Sequence, residues 1–219
     1  LVENQNPYNI DFDLLKECVN GIYTINDDGS IDVEGDVDLS RKKLTKIPFN
    51  FGKVSGNFRC YDNQLASLEG SPNNVGGNFY CSNNKLKYLE GAPTTVGGHF
   101  YCYNNKLTSL EGAPTTVGGS FYCSDNLLQS LEGAPTTVGD FYCSSNKLTA
   151  LKGAPNTVDD FYCHDNQLKS LEGAPTTVGG MLDCTNNPDL PYSELFKIVD
   201  NIKGDIYYSL YNTPEDKDK

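Results

Sequence analysis

Val138-Gly139-Asp140-Phe141-Tyr142-Cys143-Ser144-Ser145-Asn146-Lys147-Leu148-Thr149-Ala150-Leu151 is one copy of a phrase that recurs through the chain, with its cysteine at Cys60, Cys81, Cys102, Cys123, Cys143, Cys163 and Cys184. The steps between those cysteines are 21, 21, 21, 20, 20 and 21 residues. A period near twenty with apolar residues at fixed offsets is the mark of a coil that is repeated along one axis. One such unit cannot bury its own apolar face, and neighbours bury it by stacking.

Working outward from that phrase, Phe-x-Cys alternates, so both side chains leave a short strand on the same side and the residue between them leaves on the other. Phenylalanine recurs at Phe58, Phe79, Phe100, Phe121, Phe141 and Phe161, with Leu182 in the last unit. Asparagine recurs at Asn63, Asn84, Asn105, Asn126, Asn146, Asn166 and Asn187, where its amide can bond backbone groups of its own and adjacent coils as the chain turns inward. Two leucine files follow, one from Leu65 to Leu168 and one from Leu68 to Leu171. Gly-Ala-Pro then closes the outer side, where proline forbids a helix interior and leaves an extended or polyproline-like path. The expected fold is a repeat solenoid, mainly β with short helical caps, with a parallel concave sheet and an extended convex side.

The flanks read as caps. Residues 1–32 form an N-terminal helix-hairpin: Asn9 or Asp11 caps a helix through about Asn20, Gly21 stops it, Ile22–Ile25 is a strand, and Asn26-Asp27-Asp28-Gly29 is a turn. The solenoid covers 33–190 in about eight coils, the first a degenerate one in which Val37, Leu39 and Leu44 hold the apolar offsets and Lys42 takes the asparagine place. Residues 191–212 form a helix-strand cap, with Pro191 in the first helical turn, an apolar side of Leu195, Ile198, Val199 and Ile202, a stop at Gly204 and a strand at Ile206-Tyr207-Tyr208. Residues 213–219 are a charged tail.

Composition narrows the function. With 219 residues, 37% apolar and 21% charged, no tryptophan and one methionine, the chain suits a thin stacked core better than a spherical one. The net charge of −12 and the lack of a basic stripe argue against nucleic acid and anionic membranes as partners. No run of about 18 apolar residues occurs, so no membrane-spanning helix is expected. The repeat cysteines would stack in one column about 4.8 Å apart. A straight column cannot converge on a tetrahedral metal, so the expectation is a file of small buried apolar groups with no cofactor or metal. Buried free thiols point to a reducing, cytoplasmic setting, with a virion as the alternative.

The core Phe-x-Cys-x-x-Asn-x-Leu-x-x-Leu resembles the leucine-rich-repeat signature, with Phe and Cys in its strand positions. The short unit with Leu-Glu-Gly-Ala-Pro on its outer side resembles the bacterial-type repeats of secreted effectors of Gram-negative pathogens. The fuller phrase is also similar to repeat proteins encoded by tailed bacteriophages and environmental bacteria, which would place the chain in an infected bacterium. The resemblance covers about residues 33–190 and implies the fold; one fold hosts many tasks. Ubiquitin-ligase relatives carry a separate catalytic domain, nothing of that size follows residue 190, and ligase activity is therefore not expected here.

On the concave sheet the column between Phe and Cys reads Arg59, Tyr80, Tyr101, Tyr122, Tyr142, Tyr162 and Asp183, five tyrosines with a charge at each end. Asn78, His99, Ser120 and Asp140 flank it on one side, and Tyr61, Ser82, Tyr103, Ser124, Ser144 and His164 on the other. Tyrosine is a large amphipathic contact residue with few rotors, and it also pairs well in strands for purely structural reasons. The expected protein-binding face is Arg59, Tyr80, Tyr101, Tyr103, Tyr122, Tyr142, Tyr162, His164 and Asp183. The glutamate file Glu69, Glu90, Glu111, Glu132 and Glu172, interrupted by Lys152, reads as solvated charge balanced by Lys85, Lys106 and Lys147. His99 and His164 lie three coils apart, roughly 15 Å, with no adjacent nucleophile and orienting acid. The function expected is a non-enzymatic module that binds another protein; the alternative is a structural or adhesive component that self-assembles.

Overall fold

The computed structural model describes residues 8–209. The first seven residues of the expected N-terminal cap, the end of the C-terminal cap and the charged tail lie outside the described residues.

Helix α1 (Phe12–Cys18) starts where the Asp11 carboxylate accepts the Leu14 N–H at 3.0 Å, an N-cap bond. It ends two residues before the expected Asn20, because strand β1 (Val19–Ile25) begins at once and pairs along its whole length with β2 (Ile31–Asp38). Gly21 therefore sits inside a strand and does not stop the helix. The β1–β2 pair is antiparallel, with Val19 opposite Val37 and Ile25 opposite Ile31 across the expected turn. In that turn the Asp28 carboxylate accepts both the Ser30 N–H and hydroxyl, and the hydroxyl bond above all holds its pKa below the usual value.

Every other pairing is parallel. Val37-Asp38 of β2 begins a file of rungs that continues through Phe58–Arg59, Phe79–Tyr80, Phe100–Tyr101, Phe121–Tyr122, Phe141–Tyr142, Phe161–Tyr162, Leu182–Asp183 and Ile206–Tyr207. Like residues stand opposite like residues, so side chains form continuous columns. The phenylalanine, cysteine and leucine columns have essentially no exposure. Rings from Phe58 to Phe161 stack with centroids 5.1–5.7 Å apart and planes within 10°. All eight cysteines are free and buried.

The asparagine column joins coil to coil. Each amide oxygen accepts a leucine N–H of the preceding coil, as Asn105 does from Leu86 at 3.1 Å and Asn126 from Leu107 at 3.0 Å. From Asn84 on, each amide nitrogen donates to the cysteine carbonyl of its own coil and to that of the coil before, both at 3.1 Å for Asn126, while for Asn63 the earlier carbonyl is that of Leu39 at 2.8 Å. The residue just before each of these asparagines is left-handed, with φ of 52–55° from Asp62 to Asn186. Asn and Asp tolerate that region best, which accounts for six of the seven residues there, and Ser145 is the departure.

The convex side is extended and holds no helix, with more order than the sequence implies. Leu89-Glu90-Gly91-Ala92 is a tight turn closed by the Ala92 N–H on the Leu89 carbonyl at 2.9 Å, and its equivalents recur along the stack. Gly91 has φ +85°, and a Cβ there would stand 2.7 Å from the Leu68 carbonyl carbon, so only glycine serves. Past the proline, Asn74–Val75, Thr95–Val96 and Thr116–Val117 continue a second file of short parallel strands begun by β3 (Phe51–Val54). The shorter unit interrupts that file near Val138, which is only half-buried, before Thr157–Val158 and Thr177–Val178 resume it.

The C-terminal lid differs from the α-helix expected. Tyr192–Lys197 and Val199–Asn201 wind as 3-10 turns, with Pro191 as the extended residue before them. In that geometry side chains three apart eclipse, so Leu195 and Ile198 bury together on the last coil while Val199 turns out to 47% exposure. Glu194 fastens this lid. Its carboxylate accepts the Leu171 N–H at 3.0 Å and the Ser170 hydroxyl at 3.1 Å, and it pairs with Lys197. The Lys197 ammonium first, then those bonds, hold its pKa below the ordinary 4.5. A carboxyl depressed in the folded state stabilises above its unfolded pKa, and that contribution is lost as pH falls through the folded value. Acidification below about pH 4.5 should therefore lower the protection factor of the Leu171 amide, measured against the unfolded-chain exchange rate at the same pH, in the wild type. Glu194→Gln should abolish that pH dependence and cost about 1–2 kcal/mol at neutral pH.

Candidate protein-binding face

The strand pleat that drives Phe and Cys inward turns the residue between them outward. Tyr80, Tyr101, Tyr122, Tyr142 and Tyr162 accordingly form a half-exposed ladder, with centroids 4.6, 4.6, 4.4 and 4.4 Å apart and planes within 12°. The phenylalanines on the opposite side of the same strands are 5.1–5.7 Å apart. Rungs closer together on the tyrosine side mean that the sheet bends toward it, so this face is concave.

Because the rings stack on one another, their faces are covered by their neighbours. What remains for solvent is a row of ring edges and hydroxyls. The Tyr80 hydroxyl accepts from the Asn78 amide at 2.9 Å, and the Tyr162 hydroxyl donates to Asp160 at 3.3 Å. Burial above all raises the phenol pKa of Tyr101 to about 12 and pushes those of Tyr142 and Tyr162 upward, so these three hydroxyls stay protonated at neutral pH.

The ladder ends as expected in opposite charges. The Arg59 guanidinium lies 5.7 Å from the Tyr80 ring centroid and is held by Asp36 at 2.9 Å. At the other end Asp183 accepts the Thr185 N–H at 3.0 Å and its hydroxyl at 2.7 Å. Tyr103 stands on the flank at 38% exposure, outside the stack, and His164 lies on the same flank with Nδ1 2.7 Å from Asp165. At the N-terminal end lie Tyr61, which the sequence placed on this flank but outside the expected binding set, and Arg41, which it did not place. Tyr61 meets Tyr80 edge-on at 6.3 Å, and Arg41 lies over Tyr61 at 5.4 Å while it pairs with Asp62.

The other flank serves the scaffold. Asp36, Asn57, Asn78 and His99 each accept, through a side-chain atom, the backbone N–H of the equivalent residue one coil on, at 2.7–2.9 Å. Asp160 does the same for Met181 at 2.7 Å. His99 is thus an acceptor in a ladder. The signal was present in the sequence as a run of acceptor-bearing residues just before each Phe.

Nucleophilic chemistry finds little footing. Burial pushes the repeat thiols well up, and a neutral buried thiol is inert. Among the described residues no three His, Cys, Asp or Glu side chains are grouped so as to hold a metal ion, and no helix is long and apolar enough to cross a membrane. The glutamate file is exposed, and Glu132 pairs with Lys152 at 3.1 Å. Lys85, expected to balance that file, instead donates to Gln64 at 2.9 Å.

No family model matches the sequence, and no curated protein matches it. Among solved structures, a Shigella effector leucine-rich-repeat domain superposes with a TM-score of 0.61 at 20% identity, covering 81% of this chain and 82% of that one. YopM from Yersinia enterocolitica gives a TM-score of 0.35 at 17% identity over 71% of this chain and 49% of that one. The likeness to the Shigella domain is one of fold. Together with the 20- and 21-residue coils, the parallel rungs and the asparagine ladder, it shows that the chain has the leucine-rich-repeat fold, built from short bacterial-type repeats.

Proposed function

We propose that this chain is a non-catalytic module that binds another protein through its concave tyrosine face. The observation that carries the reading is the ladder itself: five tyrosines held in one register, rigid before any partner arrives. Tyrosines near the centre of an interface are frequent hot spots, and a preorganised surface loses little entropy on binding. Arg59, Tyr80, Tyr101, Tyr122, Tyr142, Tyr162 and Asp183 form the central contact, with Tyr103 and His164 at its rim. The buried thiols suit a reducing compartment.

The test is affinity for a partner isolated on the wild-type chain. Tyr122→Ala should weaken it by about thirtyfold or more, the loss expected at a hot spot. Circular dichroism should show the coils intact. Unchanged affinity in a folded Tyr101→Ala/Tyr122→Ala double variant would leave the ladder a purely structural feature.

A further inference from the structure

We infer that the free edge of β1 is a second docking site, one that takes an extended basic segment of another protein as an added strand. On β2 the odd-numbered residues bond to the next coil: Ile31 N–H to Asn50, Ser55 N–H to Val33, Gly56 N–H to Gly35 and Val37 N–H to Asn57, all at 2.8–2.9 Å. Its even-numbered residues therefore bond to β1, through Asn20, Ile22 and Thr24 in the observed register. The N–H and C=O groups of Gly21, Tyr23 and Ile25 point the other way, and no described residue meets them. Strand addition to such an edge is a common mode of peptide recognition.

This edge lacks the usual protection. Natural edges are blunted by charge, proline or brevity. β1 has seven residues, Val19-Asn20-Gly21-Ile22-Tyr23-Thr24-Ile25, none charged and none proline, and Ile22 is 70% exposed. Inboard of this edge, across the outer face of β1, β2 and β3, lies a groove of about 420 Å³ lined by Ile22, Thr24, Asp32, Glu34, Lys53 and Ser55.

Charge selects the occupant. Residues 8–38 hold nine carboxylates against the single Lys16, in a chain of net charge −12. On β2, Asp32, Glu34, Asp36 and Asp38 alternate with the core residues Ile31, Val33 and Val37 and face outward. Asp32 is occupied by the Lys53 N–H and Asp36 by Arg59, whereas Glu34 is exposed. A strand laid beside β1 would carry alternate side chains about 10 Å from Glu34, two strand spacings, within reach of an extended lysine or arginine. An acidic strand would be disfavoured there. The carboxylates behind the edge thus favour a basic partner over an acidic one.

The test uses the full chain, isotopically labelled, and an acetylated heptapeptide of alternating lysine and valine. The peptide should protect the Gly21, Tyr23 and Ile25 amides from exchange and shift their resonances. The same peptide N-methylated at alternate amides should not bind, nor should a glutamate-valine counterpart. Glu34→Gln should weaken binding about two- to fourfold, as for a solvent-exposed ion pair, and high salt should weaken it further. Equal binding by the N-methylated peptide, shifts confined to other surfaces, no binding of the lysine peptide at millimolar concentration, or self-association of the chain through these amides would each overturn the proposal.

Discussion

Replacing Asn126 with leucine, which keeps the branching of the side chain and removes its polar atoms, should cost about 3–5 kcal/mol and break the stack at its centre. The side chain is buried at 6% exposure, and its oxygen is the acceptor for the Leu107 N–H at 3.0 Å. Without it that N–H is buried and unpaired, at about 1–3 kcal/mol. Its amide nitrogen also donates to Cys102 and Cys123 carbonyls, each at 3.1 Å. Those carbonyls keep one bond apiece, from Asn105 and Asn146, so each loses about 1 kcal/mol and is not orphaned. A solenoid's stability is a sum of coil and neighbour terms, and a weak central junction uncouples the halves. Urea denaturation should therefore split from one transition into two. A single transition with an unchanged midpoint would show that the column contributes little.

Phe121→Ala should cost about as much, 3–5 kcal/mol, through a different mechanism. Its ring is fully buried and stacked on Phe100 at 5.1 Å and on Phe141 at 5.4 Å. Removal deletes apolar contact, leaves a cavity between two rings and ends two stacking interactions, each worth about 0.5–1.5 kcal/mol. Tyr122 stands on the opposite side of the same strand and should keep its exposure. The variant thus separates stability from binding: a lower melting temperature is expected with partner affinity unchanged below it. If Phe121→Ala melts as the wild type does, the coils are held by their hydrogen-bond ladders more than by the core.

How far the face was legible follows from the same pleat. Phe141-Tyr142-Cys143 reads as in-out-in from alternation alone, and the outward tyrosine column follows. Tyr61 follows from the same alternation as a flanking residue, whereas Arg41 was harder to assign, because it meets the face only through its contact with the Tyr61 ring of the next coil. His99 reads from the sequence as one member of a flanking column on a display surface, and its bond to the Ser120 N–H makes it part of the frame. The caps were read least well. Gly21 resembles a helix stop, yet cross-strand pairing with Gly35 draws it into β1. Pro191 resembles an α-helical start, yet burying Leu195 with Ile198 calls for the tighter 3-10 winding.

Sequence alone determined what the regular coils share: the inward Phe and Cys, the asparagine junction, the glycine turn and the outward tyrosines. Periodicity carries that information because equivalent residues in stacked coils meet equivalent surroundings. Tertiary structure decided the rest. It set the direction of bending, visible in tyrosine rings 4.4–4.6 Å apart against phenylalanines 5.1–5.7 Å apart. It covered the tyrosine ring faces and left their edges to solvent, and among the described residues it left one side of β1 unpaired. These features arise between coils or at the ends of the stack, where the repeat no longer supplies the neighbour.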